Sequence, residues 1–145
     1  MQNNESANEQ STGRKAYATD FTINVKSAGQ FRFARRTMRD EFHIGAEYSR
    51  LTEGVDTPTP WLDQMASMVS QLKVLAVSTP SDWDIDIMDP LDDETYRKIS
   101  DVYTALRLKE SSFRQRNDAK SEESGQGSGE DAPVLVQEEI SANAD

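Results

Sequence analysis

Between Phe21 and Phe33 the apolar side chains fall on every second residue. Phe21, Ile23 and Val25 alternate with Thr22, Asn24 and Lys26, and after Ser27-Ala28-Gly29-Gln30 the pattern resumes at Phe31 and Phe33 around Arg32. Only extended chain places such residues on one face, so two runs joined by a Gly-containing turn predict a β-hairpin with one buried side. A lone hairpin is marginal in water. Its aromatic face therefore demands a second layer, and the following sequence supplies helices for it.

Thr37 can cap the first helix, with Asp40 three residues on completing a weak capping box. Met38, Phe42, Ile44, Tyr48 and Leu51 form its apolar side, Gly45 weakens its middle by about 1 kcal/mol, and Gly54 offers its stop. Val55 to Pro60 holds two prolines and reads as a stiff connector. Pro60 suits the first turn of a second helix, along which Trp61, Met65, Met68/Val69, Leu72 and Ala76 recur at three- and four-residue steps. Leu62, Ala66 and Leu75 widen that stripe, marking this helix as the most buried, and Pro80 is expected to end it. A third helix is predicted from Asp89-Pro90, with Asp89 as cap and Asp92, Asp93 and Glu94 at the positive end of the dipole. Its stripe is Tyr96, Ile99, Val102/Tyr103, Leu106 and Phe113; Arg107, Lys109, Arg114 and Arg116 complement its other end, near Arg116. The expected fold is an α+β domain over residues 17–116, a small N-terminal β-hairpin packed on about three α-helices.

The flanks are different in kind. Residues 1–16 and 117–145 are polar, and 117–133 is a Gly/Ser/Glu-rich linker, so both are expected to be disordered tails. Val134, Leu135, Val136 and Ile140 interrupt the second tail, either as scattered apolar content or as a short motif that gains structure on a partner. The 145-residue chain carries 26 acidic and 16 basic side chains, a formal charge of −10, and no cysteine. Disulfides, thiolate zinc sites and thiol nucleophiles are thereby excluded. No apolar run reaches the ~18 residues of a membrane span, and Met1–Gly13, with Glu5 and Glu9, does not read as a secretory signal. These features predict a soluble intracellular protein, and the acidic balance disfavours general nucleic-acid binding. The charge is uneven: residues 14–50 hold eight basic and four acidic side chains, residues 51–101 three and eleven. Arg32, Arg35, Arg36 and Arg39 thus stand against an acidic block from Asp82 to Asp101. The blocks either neutralise one another within the fold or are solvated, or they form a bipolar docking surface.

Little of the sequence suggests catalysis. Asp82, Asp84, Asp86 and Asp93 match positions 1, 3, 5 and 12 of a calcium loop, but Ile87 occupies the glycine position and the last ligand is not Glu. Trp83, Ile85 and Ile87 instead predict the buried side of a short strand with the aspartates in water. His43 has no local nucleophile or ligand partner, and no phosphate loop, dinucleotide fingerprint or zinc-protease helix occurs. Neither a catalytic residue, a metal nor a cofactor is expected. Met65 and Met68 beside Trp61 read first as core and secondly as an adaptable binding face.

Three segments in order carry a resemblance: Gly29-Gln-Phe-Arg-Phe-Ala-Arg-Arg-Thr-Met-Arg-Asp-Glu, then Gly54-Val-Asp-Thr-Pro-Thr-Pro-Trp-Leu leading into a Met/Ala/Leu helix, then Pro80-Ser-Asp-Trp-Asp before Leu91. Over residues 20–115 the chain resembles the tail assembly chaperones of long-tailed bacteriophages, a family with no invariant functional residue. The resemblance implies a non-enzymatic protein of the host bacterial cytoplasm, absent from the mature virion. It implies binding to the tape-measure protein, recruitment of tail-tube subunits, and release as the tube polymerises. Self-association along the tape and a longer frameshifted form also fit that family. The expected contact surface is an apolar groove between the Trp61–Leu72 helix and the Tyr96–Phe113 helix, with Trp61, Met65, Met68, Leu72 and Tyr103 as candidates, joined by Val134, Leu135 and Val136. The alternatives are a permanent virion component, such as a connector or baseplate subunit, and an acidic DNA mimic, which the Arg32–Arg39 cluster argues against.

Overall fold

A computed structural model describes residues 8–124 of the chain. The chain divides after Ser112 into two units. Within the first, four strands, β1 (Glu9–Ser11), β2 (Phe21–Val25), β3 (Gly29–Phe33) and β4 (Ala76–Pro80), form one antiparallel sheet in the order β1-β4-β3-β2. Helices α1 (Met38–Thr52) and α2 (Pro60–Leu75) connect β3 to β4, and α3 (Asp93–Ser124) follows. The architecture is mixed α+β, as the alternation of periods predicts.

The hairpin forms where expected, with Phe21 opposite Phe33, Ile23 opposite Phe31 and Val25 opposite Gly29. Gly29 is needed twice over. Its φ of +104° is open mainly to glycine, and a Cβ there would meet Pro80 Cγ at 3.0 Å. Ile23, Val25, Phe31 and Phe33 are buried in one cluster with Met68, Leu72 and Leu75 of α2 and Ile99, Val102 and Leu106 of α3. The capping box is also present: Thr37 Oγ1 accepts the Asp40 N–H, and Asp40 Oδ2 accepts the Thr37 N–H at 2.8 Å.

Four expectations need correction. Helix α2 does not continue to Pro80; it stops at Leu75, and Ala76–Pro80 becomes the inner strand β4, paired with both β1 and β3. Ala76 prolonged the helical apolar spacing by coincidence, while Val77, Thr79 and the proline restriction on Thr79 favour extended chain. Strand β1 lies inside the stretch 1–16 that composition marks as a disordered tail, so ordered chain begins before Tyr17. It is held by β4, with Gln10 Nε2 donating to Thr79 Oγ1 at 3.2 Å and to the Trp83 carbonyl at 2.7 Å. The expected strand at Trp83–Ile87 is a 3₁₀ turn over Ile85–Ile87, because Asp84 Oδ1 accepts the Asp86 N–H and curls the chain. Trp83 is buried edge-on against Phe31 at 4.8 Å, whereas Ile87 is 80% exposed. Finally, α3 starts at Asp93 and reaches Ser124. Asp89 spends its carboxylate on the Leu91 N–H, and Asp92 Oδ1 accepts the Glu94 N–H at 3.1 Å.

The second unit comprises, among the described residues, the part of α3 from Phe113 onward, in which Ser121 Oγ donates to the Asn117 carbonyl. The disorder expected of residues 1–7 and 125–145, and the apolar stretch at Val134, Leu135 and Val136, lie outside the described residues. No helix among the described residues is long and apolar enough to cross a membrane.

Candidate functional site

Helices α2 and α3 meet along a seam whose ends are finished in opposite ways. Trp61 meets Tyr96 edge to face with centroids 6.1 Å apart, and Gln71 Nε2 donates to the Tyr103 hydroxyl at 3.4 Å. Residue numbers rise together along the seam, so the two helices run in the same sense. Val69, Leu72, Ile99 and Val102 fill its middle as core.

At the Gln71 end, Arg36 from the β3–α1 connection closes the seam. Its guanidinium donates to Glu110 through Nε at 2.8 Å and Nη2 at 3.1 Å, to Gln71 Oε1 at 2.7 Å and to Glu41 Oε1 at 3.0 Å. Arg107 adds a further bond to Glu110 Oε2 at 3.0 Å. Burial by itself would lower the Arg36 pKa; the bonds from Glu110 and Glu41 outweigh it and raise the pKa above its ordinary value. A bidentate pair of this kind needs a planar fork, which is why Arg stands here. Arg36 therefore finds its partners on α1 and α3, and Arg32 pairs with Asp20 at 3.4 Å. The acidic partners of both lie outside the Asp82–Asp101 block. Within that block, Asp86 is taken by Lys73 at 2.8 Å.

At the Trp61 end no side chain among the described residues closes the seam. A cleft of about 300 Å³ opens between α2, the 3₁₀ turn and the start of α3, with Trp61, Met65, Val69, Met88, Tyr96 and Ile99 among its walls. Asp86 and Thr95 add polar groups to an otherwise largely apolar lining. Trp61 is 58% exposed, and Ile87 and Leu91, next in the chain to lining residues Met88 and Pro90, are 80% and 89% exposed. Pro60 at the first helical position and the Thr59 cap, whose hydroxyl accepts the Leu62 N–H, set where α2 begins and so place Trp61 at its mouth.

Of the candidate contact residues, Trp61 and Met65 line the cleft. Met68 and Leu72 do not: they are 7% and 2% exposed and belong to the core. Tyr103 is half-buried, held by Gln71 at the closed end. Tyr96, Ile99, Ile85, Met88 and Leu51 complete the cleft without having been singled out as contacts. Tyr96 and Ile99 carried a signal in the α3 stripe. Ile85 carries a period-two signal that reads as a strand, which the 3₁₀ turn replaces, and Met88 carries none.

Comparison with protein-family models, with curated proteins and with solved structures found no match. The function therefore rests on the chain's own geometry. No group of three or more His, Asp or Glu side chains among the described residues is placed to hold a metal ion. His43 lies exposed on α1. What the site offers is an open apolar slot with an aromatic pair at its mouth and an ion-paired acidic group, Asp86, at its side.

Proposed function

We propose that this chain is a phage tail assembly chaperone that binds amphipathic helices of the tape-measure protein. It keeps them soluble while tube subunits gather, and leaves as the tube forms. The observation that carries this is the apolar cleft at the open end of the α2–α3 seam. An amphipathic helix presents apolar anchors at three- and four-residue steps, and a slot lined by Trp61, Met65, Met88 and Tyr96 offers them apolar cover. One cleft per chain is weak, but many chains along one long partner give avidity while each stays displaceable. The role is binding in the host cytoplasm and not catalysis. The order of Gly29–Glu41, Gly54–Leu62 and Pro80–Asp84 segments supports the family resemblance.

Co-expression with the tape-measure protein of the same phage, followed by size-exclusion chromatography, tests the proposal. The expected result is a soluble complex holding several copies of this chain, lost with Trp61→Glu while that variant remains folded. A partner that precipitates regardless, together with recovery of this chain from purified virions by mass spectrometry, overturns it in favour of a structural virion component.

A further inference from the structure

We infer that the outer edge of β2 is a homodimer interface, in which β2 of one copy pairs antiparallel with β2 of a second to join two sheets into one. It shares no residue with the α2–α3 cleft and goes beyond the chaperone proposal.

β2 is an end strand of the sheet, paired on one side with β3 and with no strand on the other among the described residues. The Val25 carbonyl accepts the Ala28 N–H across the turn at 3.0 Å, so the main chain of Val25 faces β3. By alternation Ile23 and Phe21 do the same, and the N–H and C=O groups of Thr22 and Asn24 point outward. Such an edge is a template for another strand, and proteins usually blunt it with Pro, inward charge or a bulge. None of these interrupts Phe21–Val25.

The strand is also complementary to itself. A two-fold axis through Ile23 sets Ile23 opposite its own copy, Phe21 opposite Val25, and Thr22 opposite Asn24, whose outward groups then exchange main-chain hydrogen bonds. The apolar face continues without a break from one sheet to the other. No charged side chain falls within Phe21–Val25, so the paired stretch carries nothing that repels its own copy. Beside the Asn24–Ser27 end of the edge lies an open cleft whose far wall on α3 includes Arg97, Asp101 and Leu108, the last 68% exposed. The cleft thus leaves an apolar residue, Leu108, for the partner to cover.

Sedimentation-velocity runs on the full chain across a concentration series test the inference, alongside Asn24→Pro. The wild type is expected to dimerise. Asn24→Pro, which removes an outward N–H and spares the β3 ladder, should be monomeric with an unchanged far-ultraviolet circular dichroism spectrum. A wild type that stays monomeric overturns the inference, and protection of the Asn24 amide from hydrogen exchange in that monomer would assign the edge to another segment of the same chain. A dimer that survives Asn24→Pro also overturns it. Should Asn24→Pro unfold, the cysteine-free background supplies a second test. Chains carrying Thr22→Cys and Asn24→Cys should cross-link with a short thiol-reactive reagent efficiently when mixed and poorly when separate; equal yields overturn the pairing.

Discussion

Arg36 and Trp61 lie toward opposite ends of one seam, and each is a large side chain with a planar group. Arg36 is enclosed by Glu110, Gln71 and Glu41, its side chain 17% exposed, whereas Trp61 rests one edge contact on Tyr96 and leaves more than half its surface in water. The difference separates stability from recognition along a single helix pair. A charge locked into several hydrogen bonds cannot leave without orphaning its partners. An aromatic that keeps one face wet adds little to folding and retains area to bury on something else.

The sharpest way to break this comparison is to truncate the seam between its ends. Leu72→Ala should cost about 3–4 kcal/mol in urea unfolding, and the protein that remains folded should capture its partner as before, because Leu72 is core. Arg36→Ala should follow at about 2–3 kcal/mol by the same measurement, with Glu110 partly relieved by Arg107. Lost partner binding in either variant, at equal folded fraction, would erase the distinction.

A smaller effect concerns the start of α1. Burial pushes the Asp40 carboxyl up, but hydrogen bonds from Arg14 and from Thr37 outweigh it and hold its pKa below the usual carboxylate value. At Glu47 the Arg50 bond leads, and the pKa is again lowered despite burial. Groups depressed in the folded state contribute stability that is complete above the unfolded pKa, near 4, and that disappears as pH falls through the lower folded value. Thermal midpoints should therefore be insensitive to these two groups between pH 7 and about pH 5 and should drop below about pH 4. Asp40→Asn should lie about 1 kcal/mol below the wild type at neutral pH, with the two curves converging in acid.

The smallest stability change belongs to Trp61→Ala, about 0.5 kcal/mol by urea unfolding, as for other exposed positions. Its effect on capture of an amphipathic helix should nonetheless exceed those of Leu72→Ala and Arg36→Ala. An unfolding loss near that of Leu72→Ala would make Trp61 a structural residue and close the cleft as a binding site.

Part of the candidate site is legible in the sequence alone. Trp61 and Met65 fall on the α2 stripe, and Pro60 announces where that helix begins. Met68 and Leu72 fall on the same stripe and were grouped with them, since a 3.6-residue period shows which side of a helix is apolar but not how far along a neighbour covers it. Ile85 falls on a period-two alternation that reads as a strand but forms a turn, and Met88 falls on no period at all. Their place at the cleft follows from Asp84, Asp89 and Asp92 each folding back on a nearby main-chain N–H.

The amino-acid sequence by itself determined the hairpin, the face it buries, the Thr37–Asp40 cap and the start of α2. Each depends on residues within a few positions of one another, so local backbone physics suffices. Tertiary structure alone decided that Ala76–Pro80 is an inner strand and that the polar run Glu9–Ser11 is a strand at all. Their hydrogen bonds join residues some seventy positions apart, such as Gln10 and Thr79. The same is true of Arg36 and Glu110, separated by 74 positions, whose pairing closes one end of the seam while the other stays open. A chain's own periodicity can show that a surface is apolar or charged, but what that surface meets is supplied by residues it cannot see until the fold brings them together.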